Sequence, residues 1–221
     1  MNYYPIYLDI KNRNCLVVGG GAVAARKVET LAKCGAIVMV VSPDFTESLY
    51  EMEEHSAITL ICRPYESSDL EEKFLVIGAT NNEALNRKIS ADAEKRNMLC
   101  NIADVPEICN FILPSVISRG DFSIAISTSG RSPAFAKKLR KDLEKIFGEE
   151  YACFLTLMGE VRKKLLVKEH APEAHKPLFE KLINSGLLEM IKNNRTEEIN
   201  RLLEEILGAG YDYETLTGAI K

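Results

Sequence analysis

The stretch Cys15-Leu16-Val17-Val18-Gly19-Gly20-Gly21-Ala22-Val23-Ala24-Ala25-Arg26-Lys27 decides the fold. A short apolar run stops on glycines and restarts with helical spacing that continues to Gly35. That order predicts a strand, a tight turn and a helix in direct succession, with Gly35 as the helix stop. Gly19, Gly21 and Ala24 fall at G-x-G-x-x-A. The first glycine permits the tight turn, the second lets the backbone approach a pyrophosphate, and Ala24 keeps the helix close to the sheet. The helix N-terminus adds free N–H groups and a partial positive charge. The expectation is a dinucleotide site; the plainer alternative is a tight turn that binds nothing.

Beyond this stretch, strand-like and helix-like runs alternate. AIVMVVS (36–42) is apolar without interruption, as a strand covered on both faces would be. DFTESLYEMEEHS (44–56) reads as helix, ITLICRPY (58–65) and FLVIGAT (74–80) as strands, 82–97 as a helix capped by Asn82, and MLCNIA (98–103) as a fifth strand. Such alternation demands parallel crossovers and predicts a doubly wound α/β sheet. The pattern then changes. FILPSVIS and FSIAIST flank Arg119-Gly120-Asp121, which reads as a sharp antiparallel connection. Ser132-Pro133 opens a charged helix to about Phe147, with Ser132 as N-cap. From 150 onward the chain reads as helix, broken into pieces by Pro172, Pro177 and Gly186. Boundaries are expected near 113 and 148.

Composition narrows the classes. The 221 residues are 46% hydrophobic and 27% charged, with a net charge of −4. This is globular composition and argues against disorder, and the acidic balance weighs against a nucleic-acid binder. No apolar run approaches the length of a membrane span, and MNYYPIYLDIKNRN lacks the apolar core of a secretory signal. The six cysteines form no C-x-x-C pair, so a zinc ribbon or dithiol centre is not expected. Cys15, Cys62 and Cys100 are expected as buried reduced thiols in a cytoplasmic protein. His55, His170 and His175 are expected on the surface, and no metal site is expected.

Four groups of residues are candidates for chemistry. The second strand ends Val41-Ser42-Pro43-Asp44, without the usual acidic residue at its tip. Asp44, slightly late, serves either a ribose or the N-cap of the next helix. No Arg follows Ser42 closely, so a 2′-phosphate lacks a partner and NAD is favoured over NADP. Gly78-Ala79-Thr80-Asn81 ends the fourth strand, where small residues leave room for a nicotinamide or simply make a turn. Asn101 and Asp104 follow at the same edge. Asp104 is the only carboxylate between Glu94 and Glu107, and it reads as a general base, a substrate orienter or an Asx-turn. Finally, 119–141 holds six bases (Arg119, Arg131, Lys137, Lys138, Arg140, Lys141) against one acid, Asp121. Ser127-Thr128-Ser129-Gly130-Arg131-Ser132 leads into the helix there. This is either an anion-receiving site or a solvated face with capping serines.

Taken together, YPIYLDIKNRNCLVVGGGAVAARKVETL, VVSPDF, IGATNN, CNIADVPEICNFILPS and ISTSGRSPAFAKKLR resemble the siroheme synthase family, whose precorrin-2 dehydrogenases carry an aliphatic strand followed by GGG-x-VA-x-RK. The likeness runs over about residues 3 to 145. It implies a Rossmann-type NAD-binding domain (1–113), a small α+β dimerisation and substrate region (114–148) and a helical C-terminal domain (149–221). It implies NAD-dependent oxidation of precorrin-2, a polycarboxylate tetrapyrrole, to sirohydrochlorin by a homodimer with no nucleic-acid or membrane partner. Some members also insert Fe(II). A non-catalytic NAD-sensing module is the competing class. NAD contacts carried over from the family fall on Gly21, Ala22, Val23, Ser42 and Pro43. The key aspartate falls on Asp104, and the serine-rich substrate segment on Ser127 to Ser132. Ala22 departs from the pattern, since some relatives have Asp there.

Overall fold

A computed structural model describes residues 3–55, 57–168 and 172–218. The chain divides into two compact units, Met1–Leu113 and Pro114–Lys221.

In the first unit the order is β1 (Asn14–Val18), α1 (Ala22–Lys33), β2 (Ile37–Ser42), α2 (Glu47–His55), β3 (Ile58–Cys62), β4 (Leu75–Gly78), α3 (Glu83–Glu94) and β5 (Leu99–Ile102). The strands lie β3-β2-β1-β4-β5, and every neighbouring pair is parallel. This is the doubly wound sheet expected from the alternation. Its strands are apolar on both faces because both faces are covered. Along β1, Cys15 and Val17 enter one core cluster with Val28 and Val40, while Leu16 and Val18 enter the other with Val76 and Ile102. The period of two delivers successive side chains to opposite layers. A fully buried side chain such as Leu16 contributes about 1.5–3 kcal/mol.

Local signals fix the helix ends. Gly35 has φ +78°, its N–H donates to Ala32 O at 2.8 Å, and Ala36 N donates to Leu31 O at 3.1 Å. These paired bonds form a Schellman stop, and the left-handed residue favours glycine. Asn82 Oδ1 accepts from Leu85 N at 3.0 Å and caps α3. Registers Val18↔Val41, Val18↔Gly78 and Gly78↔Ile102 bring the carboxyl ends of β1, β2, β4 and β5 to one edge. The chain winds one way from β1 to β3 and the other way from β4 to β5. The reversal leaves a crevice at that edge.

In the second unit β6 (Ser115–Arg119) and β7 (Phe122–Ile126) form an antiparallel hairpin turned at Gly120, with φ +56°. Next comes α4 (Pro133–Leu143), capped by Ser132 Oγ, which accepts from Phe135 N. It ends at Leu143, short of the expected Phe147. Five further helices follow: α5 (Glu150–Lys168), α6 (Pro172–Asn184), α7 (Leu187–Lys192), α8 (Thr196–Leu207) and α9 (Tyr213–Thr217). Leu157, Val161, Leu182, Leu187, Ile199 and Leu203 form their core.

Several expectations are corrected. Pro172 starts α6, where no N–H is needed, but Pro177 lies inside that helix and does not break it. Packing of Leu178, Phe179 and Leu182 into the core outweighs the lost hydrogen bond. His175 is buried, because 175, 178, 179 and 182 share one helical face and that face turns inward. His55 is exposed as expected, and His170 lies outside the described residues. Cys15 and Cys100 are buried, and burial pushes both thiols up to about 11. Cys62 is exposed, since it ends β3 at the edge of the sheet.

Candidate functional site

A cavity of about 980 Å³ opens at the carboxyl edge of the sheet. It is lined by the glycine loop, the Ser42–Thr46 segment after β2, the Ala79–Asn82 segment after β4, and Asp104 after β5. These segments lie far apart in sequence. The parallel register brings them together.

The three glycines do different work. Gly19 has φ +124°, and a Cβ there would fall 2.3 Å from Ala79 O. A Cβ on Gly20 would fall 1.8 Å from Asp44 O. Thr46 N donates to Gly20 O at 2.9 Å, Gly19 N to Val41 O at 2.9 Å, and Ala79 N to Val18 O at 2.8 Å. The loop is thus tied to both neighbouring loops. A Cβ on Gly21 would meet nothing within 4 Å. Gly21 is the N-cap of α1 and offers no side-chain cap, and no acid occupies the first turn. The start of α1 is therefore uncapped and lines the cavity, which is the arrangement an anion needs. Ala24, fully buried, holds α1 against the sheet as the fingerprint requires. Gly20 was not singled out by the G-x-G-x-x-A pattern, although the run of three consecutive glycines was a visible signal.

Ser42 is buried, and Pro43 and Asp44 are exposed. Asp44 does not cap α2, which begins at Glu47. Its backbone packs on Gly20, and the residue lines the cavity. Ala79 and Thr80 line the cavity as well. Asn101 does not. It is a buried residue of β5 whose Nδ2 donates to Phe111 O at 3.0 Å, so its side chain is spent on the returning chain. The neighbouring Asn110 serves the same return by bonding Cys100 N and Met98 O.

Asp104 is exposed and left-handed, with φ +63°. Ala103 N still bonds Gly78 O at 2.8 Å, so the ladder runs out one residue before Asp104. An aspartate tolerates this conformation better than most residues, and such strain gathers at functional sites. Lys27, half-buried on α1, was not singled out in the sequence. Burial draws its ammonium below the usual lysine range, Arg26 adds to that, and Asp104 opposes it. A cation thus stands within electrostatic reach of Asp104.

The first unit matches the family described as "Putative NAD(P)-binding" over residues 6–115. Residues 119–146 match the family described as "Sirohaem biosynthesis protein central". Siroheme synthase of Thioalkalivibrio sulfidiphilus is 35% identical over 220 residues, covering 100% of this chain and 45% of that protein. The Sodalis glossinidius siroheme synthase is 33% identical over 213 residues, covering 96% of this chain and 45% of that protein. A solved structure, SirC, precorrin-2 dehydrogenase, superposes with TM-score 0.76 at 28% identity, covering 92% of this chain and 98% of that one.

The chain is a homologue of the siroheme synthases over its whole length.

It spans about half the length of the curated siroheme synthases it matches. The glycine loop and Asp104 fall in the segment matched as NAD(P)-binding, and Ser127–Ser132 in the siroheme central segment. The latter residues do not line the cavity of the first unit. Ser127 Oγ accepts from Ser129 N at 3.0 Å, Thr128 Oγ1 accepts from Ser132 N at 3.2 Å, and Ser129 and Gly130 are left-handed. The serines thus shape a turn and cap α4. The basic excess of 119–141 is partly answered by acids just beyond it. Lys138 pairs with Asp142 at 2.6 Å, Arg119 with Glu149 at 3.2 Å, and Arg140 with Glu144. Arg131, Lys137 and Lys141 stay exposed.

Proposed function

We propose that the chain oxidises precorrin-2 to sirohydrochlorin with NAD as acceptor. The observation that carries this reading is one cavity lined by both an uncapped helix N-terminus and Asp104. The residues fit the cofactor. The α1 N–H groups beside Gly21 would take the pyrophosphate, Ser42 to Asp44 the adenosine ribose, and Ala79 and Thr80 the nicotinamide side. NAD is favoured over NADP because no lysine or arginine is among the described residues that line the cavity, which leaves a 2′-phosphate without a partner.

NAD, when bound, supplies the hydride acceptor. Asp104 takes the proton released as the substrate's new double bond forms. The cavity would position the nicotinamide ring for hydride transfer. Within the second unit the exposed bases Arg131, Lys137 and Lys141 form a basic surface that suits a polycarboxylate. The test is an absorbance assay of purified protein with precorrin-2 and NAD. Sirohydrochlorin and NADH should appear in equal amounts; their absence would overturn the proposal. NADP should support a lower rate than NAD.

A further inference from the structure

Asn86, on α3, is 4% exposed, and both ends of its carboxamide are spent on one residue, Thr80. Nδ2 donates to Thr80 O at 2.9 Å, and Oδ1 lies 2.8 Å from Thr80 Oγ1. These contacts cannot be exchanged. A carbonyl oxygen only accepts, so the end of the carboxamide that faces it is the NH2. The amide oxygen therefore faces the hydroxyl. Two oxygens 2.8 Å apart need a proton between them, and only the threonine carries one. The hydroxyl proton is thus committed to Asn86 and not to the longer 3.2 Å contact with Asn82 O. Asn82 N donates to the same hydroxyl at 3.2 Å. One lone pair remains, on a side chain that lines the cavity.

We propose that Asn86 is a positioning residue that makes the Thr80 hydroxyl an obligate hydrogen-bond acceptor, selecting a cofactor ring that presents an N–H donor: the carboxamide NH2 of nicotinamide. The inference rests on the nicotinamide reading given above. It goes further by fixing which end of the carboxamide Thr80 can hold. A ring with methyl in place of that NH2 loses the bond and leaves the lone pair against an apolar group.

The experiment measures equilibrium binding of NAD and of 3-acetylpyridine adenine dinucleotide to the full chain by calorimetry, without substrate. The wild-type protein should favour NAD by about 10-fold, the worth of one hydrogen bond. Thr80→Val should bring the two affinities within about 2-fold of one another, and Thr80→Ser should restore the preference. Asn86→Ala frees the hydroxyl to rotate and should narrow the ratio too, with thermal melting to confirm folding. If Asn86→Ala fails to fold, the Thr80 pair decides. A merely structural Asn86 would weaken both ligands equally and leave the ratio at its wild-type value, which would overturn the proposal, as would an unchanged ratio in Thr80→Val. If neither dinucleotide binds, this proposal and the nicotinamide reading fall together. If the ratios behave as stated but precorrin-2 is not oxidised, only the proposed reaction falls.

Discussion

Asp104 stands where the β4–β5 ladder runs out, left-handed and open to the cavity. Asp104→Asn keeps shape and removes charge. It should leave the melting temperature and NAD affinity near wild type while lowering precorrin-2 oxidation by about 10²-fold or more. A near-native rate would reduce the residue to a turn former and shift attention to Ser127–Ser132. The glycines give a second prediction. Gly21→Val places a side chain in the open approach to α1, so it should weaken NAD binding strongly with little change in melting. Gly20→Ala drives a methyl into Asp44 O, so it should lower melting temperature and NAD affinity together. Calorimetry beside thermal melts separates the two patterns. Asp104 and Gly21 were legible in the sequence because each stands at a fixed offset from a strand end. Gly20 was not, because its obstruction comes from a residue twenty-four positions away.

At the scale of elements, β3, α3 and the 67–70 turn are joined by two buried aspartates. Asp92 Oδ2 accepts from Ser67 Oγ at 2.6 Å and Tyr65 OH at 3.3 Å. The Ser67 hydroxyl holds its carboxyl below the usual range against the opposing effect of burial, with Lys95 assisting. Burial would raise Asp69, but the Arg63 guanidinium and the Glu66 N–H outweigh it and lower that carboxyl too. Groups lowered on folding stabilise the native state fully above their unfolded pKa of about 4, and the stability is lost as pH falls through the folded value. Thermal midpoints should therefore be flat near neutrality and fall below about pH 4. Asp92→Asn should remove part of that fall, and an equally steep fall in the variant would contradict the assignment. The elements themselves were largely legible: two-faced apolar strands, Gly35 as a stop, and Asn82 and Ser132 as caps. These polar ties were not, because Ser67 and Asp92 carry no periodic signal.

For the whole molecule we propose a homodimer built through the 110–128 strand pair and the 132–147 helix, as the family resemblance implies, working in the cytoplasm. The region's apolar residues are covered only in part within the chain. Ile117 is buried at 1% exposure, and Phe111, Ile112, Ile124 and Ile126 are half-buried. Leu113, Val116 and Phe135 remain 44–55% exposed. Light scattering at micromolar concentration should return about twice the 24.7 kDa chain mass. A monomer would refute the dimer, and Val116→Asp with Phe135→Asp should convert dimer to monomer while the first unit keeps its NAD affinity.

The sequence by itself determined the run of elements, the parallel sheet, the glycine loop with its uncapped helix end, and Asp104 just after β5. Each of these follows from rules acting between adjacent residues or along one element: strand and helix periods, capping, and the freedom of glycine. Tertiary structure alone decided that Gly20 abuts Asp44, that Asn86 commits the Thr80 hydroxyl, that Asn101 turns away to Phe111, and that His175 and Ile117 are covered. Those outcomes depend on which residue of a distant segment arrives at a given point, and strand register and side-chain packing settle that only once the whole chain has folded.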